Sequence, residues 1–296
     1  MNFIRVIRSA VKTNLWLRKF VAYNLAPSGL FDNYFRNYKV DEGWRQRIEI
    51  VKMSSDNARL ERKSNAGSII GGKQMMHNGI KVNLGSYYGP EVAVMLLENG
   101  GVHEPQEEYA FAEVLKFIRP TGIMIEMGSF WAFYSLWFNK EVKSPVNYLI
   151  EPDKFNIASG KANFRLNNSD GFFFNYFIDG TPGHIDNVRK ITIKEFVYEN
   201  SIEFIDILHS DIQGYEVGML HGAIELLEKS KIGYLFISTH SNELHNECLA
   251  IINKYEYEII CHSDLDDSYS LDGLIVAKSK FYPGPNKIDI SLRTKS

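Results

Sequence analysis

The stretch MIEMGSFWAFYSLWF, residues 124–138, decides the fold. An apolar run carries one carboxylate, Glu126, and ends in a tight turn with a single glycine, Gly128. Phe130 and Trp131 then open an aromatic segment with helical character, residues 131–141. A buried strand turning directly into a helix is the first half of a βαβ unit, so the segments that follow should repeat the pattern.

They do. Strand-like runs occur at 122–127, 146–151, 171–178, 203–210, 231–238, 255–262 and 272–279. Helical periodicity falls between them at 153–166, 215–229 and 241–254. The last two strand runs are joined without a helix, which suits an antiparallel hairpin at the edge of the sheet. GTPGHIDNVRK, residues 180–190, reads as a loop. The architecture expected is α/β, a Rossmann-like, mostly parallel seven-stranded sheet with an antiparallel final strand, over residues 105–296. That domain opens with HEPQEEYAFAEVLKFIRP, a helix begun by Pro105 and ended by Pro120. The simplest role for Glu107 and Glu108 is to complement the helix dipole. His103 and Glu104 are also within reach of the mouth of a cleft above the strands, and His77 invites the same reading.

Residues 1–104 read as an extension. Its first twenty residues are basic and amphipathic, with Ile4, Ile7, Val11 and Leu15 on one stripe and Arg5, Arg8, Lys12 and Lys19 on another. Such a helix either packs on the protein body or lies on an anionic membrane surface. A peripheral contact of residues 1–20 at the inner face of a membrane is the functional version of that choice. Farther on, Asn78-Gly79 between two apolar runs signals a hairpin in a small β element. A net charge of −3 gives no nucleic-acid signature, so no nucleic-acid partner is expected. Cys248 and Cys261 make neither a metal knuckle nor a disulfide framework, and no run is long enough to span a bilayer, which suits a cytoplasmic setting.

In an open α/β sheet, ligands bind at the carboxyl ends of the strands. Strand 1 ends at Glu126 and Gly128, and strand 2 ends at Glu151-Pro152-Asp153. An acid at the second tip suits a ribose diol. A dinucleotide would need a glycine-rich turn for its diphosphate, but here Ser129, Phe130, Trp131 and Ala132 follow Gly128. A phosphate-free cationic nucleoside fits better, and S-adenosylmethionine (SAM) is such a ligand. FIDILHSDIQGYEVGMLHGA, residues 204–223, sets Asp206 and Asp211 in and just past strand 4, and strand 5 ends in STHSNELH with His240, Asn242 and His245. His240 is a candidate general base, with Asp211 orienting the acceptor and His209 as a further candidate. Alternatively Asp211, His240 and Asn242 hold a divalent ion, the less favoured route.

Taken together, these motifs resemble the FkbM-type SAM-dependent methyltransferases over roughly 120–280. IEMGSFWAFYSL is similar to the family's first motif through Glu126, Gly128, Tyr134 and Ser135. IEPDKFNIASGKANFRLNN is similar to its E-P segment through Glu151, Pro152 and Asn163. IDILHSDIQGYEVGMLHGA is similar to its signature through Asp206, Asp211, Gly214, Glu216, Leu220 and Gly222. Phe130, Ala132, His209 and Gln213 depart from the family's usual residues. The resemblance implies a class I methyltransferase sheet and O-methylation of a hydroxyl on a sugar, glycan or related small metabolite. Cofactor contacts on this reading fall to Glu126, Gly128, Ser129, Phe130, Glu151, Pro152, Asp153, Asp179 and Asp211. The alternatives are a non-catalytic SAM-binding module, a nicotinamide-dependent oxidoreductase, or a glycosyltransferase using the D-x-D of Asp264 and Asp266.

Overall fold

The computed structural model describes residues 14–20, 24–25 and 28–295. Most of the basic amphipathic stripe of residues 1–20 lies outside them, and α1 (Leu15–Phe20) is its described part. α2 (Asp32–Arg36) and α3 (Glu42–Met53) lead into an antiparallel sheet of β1 (Ile69–Ile70), β2 (Lys73–Met75) and β3 (Lys81–Asn83). The β2–β3 hairpin turns at Asn78-Gly79 as expected. Asn78 Oδ1 accepts from the Ile80 N–H at 3.1 Å, and Gly79 takes the left-handed conformation at φ 87°. α4 (Pro90–Glu98) and α5 (Pro105–Leu115), each with proline in the first turn, precede the main sheet.

The chain then runs β4 (Ile123–Met127), α6 (Phe133–Glu141), β5 (Val146–Ile150), α7 (Lys154–Leu166) and β6 (Phe172–Phe174). β7 (Tyr176–Ile178), β8 (Gly183–Ile185), β9 (Val188–Ile191) and α8 (Ile193–Glu199) come next. They are followed by β10 (Ile205–Ser210), α9 (Glu216–Gly222), α10 (Ile224–Glu228) and β11 (Ile232–Thr239). α11 (Asn242–Lys254), β12 (Tyr257–Ser263) and β13 (Gly273–Ser279) complete it. The seven-stranded sheet has the order β6-β5-β4-β10-β11-β13-β12. Every pair is parallel except those of β13, which is antiparallel to both β11 and β12. This is the sheet expected of a class I methyltransferase. The strand order reverses between β4 and β10, so their carboxyl tips flank the switch-point crevice.

Both faces are covered, which is why the strands are apolar throughout. Phe111, Phe133, Trp137 and Phe236 belong to one buried layer, and Phe196, Met219, Leu220 and Ile237 to the other. No helix among the described residues is long and apolar enough to cross a membrane.

Three expected elements differ. Residues 171–178 are two strands, because Asn175 interrupts the run and donates Nδ2 to the carbonyls of Glu151 and Pro152 at 3.1 and 2.7 Å. Residues 180–190 are not a loop: β8 and β9 form a hairpin, and β7 pairs with β9 in a second three-stranded sheet. Its turn residues Asp186 and Asn187 both have positive φ, 46° and 64°, the conformation a two-residue hairpin requires. The helix expected at 215–229 breaks into α9 and α10 at Ala223.

Asp206 is structural. It is fully buried near the start of β10, and both its oxygens are engaged. Arg119 donates at 2.8 and 3.2 Å, the Ile123 N–H at 2.7 Å and the Tyr282 hydroxyl at 2.5 Å. This one carboxylate ties the entry of β4 and the C-terminal segment to β10. Asp206→Ala strands the part-buried Ile123 N–H and the buried Tyr282 hydroxyl, so urea titration should show a loss of about 2–4 kcal/mol. A loss under about 0.5 kcal/mol would mean the three groups find other partners.

Candidate active site

The tips of β4 and β10 approach each other through backbone, not side chains. The Asp211 N–H donates to the Met127 carbonyl at 3.0 Å. A Cβ built on Gly128 would lie 1.7 Å from the Asp211 carbonyl oxygen, and φ there is 73°. The single glycine of the turn is therefore demanded by the neighbouring strand. Beyond it, Phe130 and Ala132 adopt left-handed backbone at φ 35° and 63°.

Glu151 braces this turn from the tip of β5. One carboxylate oxygen accepts from the Phe130 N–H at 3.1 Å, the other from the Asp153 N–H at 2.9 Å and from Asn156 Nδ2 at 3.4 Å. Burial pushes its pKa up to about 7. Glu126 lies beneath the turn and accepts from the Ser135 N–H at 3.2 Å; burial raises it, too, to about 7. Ser129 is buried, with its hydroxyl unpartnered among the described residues. Pro152 is half-buried beside Glu151. Asp153 is the N-cap of α7, accepting from the N–H groups of Phe155 and Asn156. Asp179 is tied to Lys190 Nζ at 2.8 Å and to the Gly180 N–H at 2.7 Å, which lowers its pKa against burial. Asp153 and Asp179 thus have structural employment away from the turn.

At the β10 and β11 tips the imidazole of His240 is surrounded by acids. Nδ1 donates to Glu216 Oε1 at 2.7 Å, and Nε2 lies 3.3 Å from Asp211 Oδ1 and 3.4 Å from Asp272 Oδ1. Gln213 Nε2 donates to Asp211 Oδ1 at 3.1 Å beside the ring. Burial opposes a charge on the ring, but Asp211, Glu216 and Asp272 outweigh it and raise its pKa to about 10. His240 is thus held as an imidazolium at neutral pH. The expectation of a neutral proton acceptor there is corrected. Asn242 does not join Asp211 and His240. Its Nδ2 donates to Asp266 and its Oδ1 accepts from the Leu265 N–H. Asp264 caps the same loop, accepting from the N–H groups of Asp266 and Asp267. The D-x-D is a loop brace, and no group of three metal-ligating side chains is found among the described residues.

Asp272, which the sequence reading missed, faces Asp211 across the imidazolium. Burial and the Asp211 charge push its pKa up to about 7. It immediately precedes β13, in the dipeptide Asp272-Gly273.

The acids at the start of α5 are not a solvated first turn. Glu104, Glu107 and Glu108 are all buried. His103 Nδ1 stands 2.6 Å from Glu108 and Nε2 3.0 Å from Glu104, while His77 Nε2 lies 3.2 Å from Glu108. Burial opposes protonation of His103, but the charges of Glu104 and Glu108 raise it to about 10. His209, the penultimate residue of β10, is buried, 2.7 Å from Glu107 and packed on the ring of Tyr134. Tyr87 stacks on Trp131 with centroids 4.4 Å apart, and half-exposed Tyr88 packs on Phe130 at 5.3 Å. The crevice is thus rimmed by Tyr88, Glu104, Asp211, His240 and Asp272. Such a rim repels a diphosphate and tolerates a cationic ligand.

Residues 119–259 match the methyltransferase FkbM domain. The match spans β4 through the first residues of β12, and with them the turn, Glu151, Asp211 and His240. Asp272 and the Glu104 network lie outside the FkbM domain match. No curated protein matches the chain. Among solved structures it is similar to Mycoplasma capricolum TrmK in complex with S-adenosyl-homocysteine. The identity is 16%, over 58% of this chain and 69% of that one, with a TM-score of 0.40. It is similar also to the METTL16 MTase domain, at 12% identity over 60% and 69% of the two chains, TM-score 0.42. Aeropyrum pernix fibrillarin with natively bound SAM aligns at 13% identity over 57% and 74%, TM-score 0.40.

Two outcomes follow. His103 and His240 keep their protons to about pH 10 in the fold against an ordinary 6.5. Their contribution is complete below about 6.5 and is lost as pH rises through about 10. Glu126, Glu151 and Asp272, raised to about 7, act with the same sign at lower pH. Thermal melts should therefore show Tm falling steadily between about pH 7 and 9.5, and a flat or rising Tm would contradict the buried imidazoliums. Gly128→Ala should cost about 2–4 kcal/mol by forcing the two tips apart, read by chemical denaturation.

Proposed function

We propose that this chain is a SAM-dependent O-methyltransferase acting on a hydroxyl of a sugar, glycan or related small metabolite. Glu151 carries the reading. It sits at the second strand tip of a parallel sheet, in an FkbM domain, held by backbone N–H groups and with lone pairs left to accept from a ribose diol. Glu126, Gly128, Ser129 and Phe130 form the turn beside it. SAM supplies an electrophilic methyl group when bound.

The chain's own residues account for the rest. The Tyr88 ring offers a flat apolar face for sugar C–H groups, and Asp211 and Asp272 offer acceptors for hydroxyls. Asp272, poised near pH 7, replaces His240 as the group to take the hydroxyl proton, because a general base works best near the operating pH. The His240 imidazolium orients both carboxylates. Positioning of the acceptor in line with the methyl group supplies much of the rate.

Calorimetry with S-adenosylhomocysteine tests the cofactor half. The folded wild-type protein should bind it, and Glu151→Ala should weaken binding by about 2–4 kcal/mol through loss of charge-assisted bonds. Unchanged affinity in a folded variant rules out this assignment. Mass spectrometry of glycan and metabolite pools, with and without the gene, should reveal an acceptor that loses one CH2 unit when the gene is absent.

A further inference from the structure

We infer that Glu104 is the anchor for the α-ammonium group of the bound cofactor's amino-acid arm, an inference that rests on the SAM reading above. Glu104 is 8% exposed and lies just before α5, ahead of the FkbM domain match. Only one of its carboxylate oxygens is used: Oε2 accepts from the Tyr134 hydroxyl at 2.9 Å and stands 3.0 Å from His103 Nε2. Oε1 makes no hydrogen bond among the described residues and is not fully buried, and the carboxylate lies near enough to Tyr88 and Asp272 to act on their charges.

The support around it is rigid. His103 is clamped between Glu104 and Glu108, and its ring meets Trp131 edge-on at 5.1 Å. Tyr134, the other partner, stands in the first turn of α6 and packs on His209 of β10. Glu104 is thereby tied through Tyr134 to α6 and His209 of β10, and through His103 to Trp131 of the turn. With a ribose at Glu151 on the opposite, β5 side, the amino-acid arm of a nucleoside-linked methionine extends across β4 toward it.

The other acids of the crevice have less to give. Glu126 sits under the turn against the Ser135 N–H, and Asp211, Glu216 and Asp272 share the His240 imidazolium. An ammonium presents three N–H donors to a carboxylate oxygen, whereas a sulfonium presents none. Of these acids, Glu104 is the one held by His103 and Tyr134 through a single oxygen and not engaged with the turn or with His240. Glu104 is held ionised against its burial by the adjacent His103 charge, which supports the same assignment.

Calorimetry on the full chain with three probes tests this. S-adenosylhomocysteine and SAM both carry the α-ammonium; 5′-methylthioadenosine keeps the adenosine and sulfur and lacks it. Glu104→Gln, which preserves shape and one acceptor for Tyr134, should weaken S-adenosylhomocysteine and SAM by about 10- to 100-fold and leave methylthioadenosine unchanged. Unchanged methylthioadenosine affinity also certifies that the variant is folded. Equal loss for all three probes, no loss for any, or loss for SAM alone would each overturn the assignment. Failure of the wild-type protein to bind any of the three would remove the SAM reading itself, and this inference with it.

Discussion

The structure depends on one close contact: the Cα of Gly128 against the backbone of Asp211. It fixes how near the tips of β4 and β10 can come at the point where strand order reverses. Everything with chemical potential is measured from there. On one side the Met127 carbonyl accepts from Asp211, which aims that side chain at His240. On the other, the turn climbs through Phe130 to meet Glu151. A side chain at 128 would open this junction before touching any ligand. The glycine's requirement is thus internal, and the same residue would be needed if the crevice bound nothing at all.

The second organising feature is a set of imidazoles buried among carboxylates. His77, His103, His209 and His240 come from four separated segments, and each meets a glutamate or aspartate within 3.4 Å. Burying such charges is costly unless they are paired and bonded, and a pair broken by removing one member is worse than no pair. Glu108 shows the balance: burial raises it, but His103 and His77 together hold it well below the usual carboxylate range. The arrangement locks the start of α5 onto β10 and β11, since Glu107 also accepts from Ser238 at 3.1 Å. It turns a segment upstream of the matched domain into part of the crevice wall.

Much of this was legible in the chain. The period-two and helical alternation located all seven main-sheet strands, because both-face burial leaves an apolar signature that short loops punctuate. The β7–β9 sheet was missed because Gly, Pro and His in GTPGHIDNVRK mask three-residue strands. Yet Asp186-Asn187 carried a turn signal that asked for two left-handed residues. α8 was available too: Thr192 and Glu195 form a reciprocal capping box just before an apolar run. The acids of HEPQEE were misread for a different reason. A helix start enriched in Glu looks alike whether solvent or the imidazoles of His77, His103 and His209 neutralise it. Asp272 and Glu216 became visible as partners of His240 only when β13 was placed beside β11.

The departures from the family's usual first motif then acquire a physical meaning. Phe130 and Ala132 occupy left-handed backbone that glycine or asparagine would adopt with less strain. Such strain persists only where the surroundings over-determine it. Here they do: the Phe130 N–H is held by Glu151, and its ring is wedged among Tyr87 and Tyr88 at 5.2 and 5.3 Å. Trp131, between them in sequence, stacks on Tyr87, and its carbonyl accepts from Asn163 Nδ2 at 2.9 Å. Asn163 in turn accepts from the Asn83 N–H at 2.8 Å, so the turn is bolted to β3 of the small upstream sheet. The aromatic turn thus ties the small upstream sheet to the seven-stranded sheet.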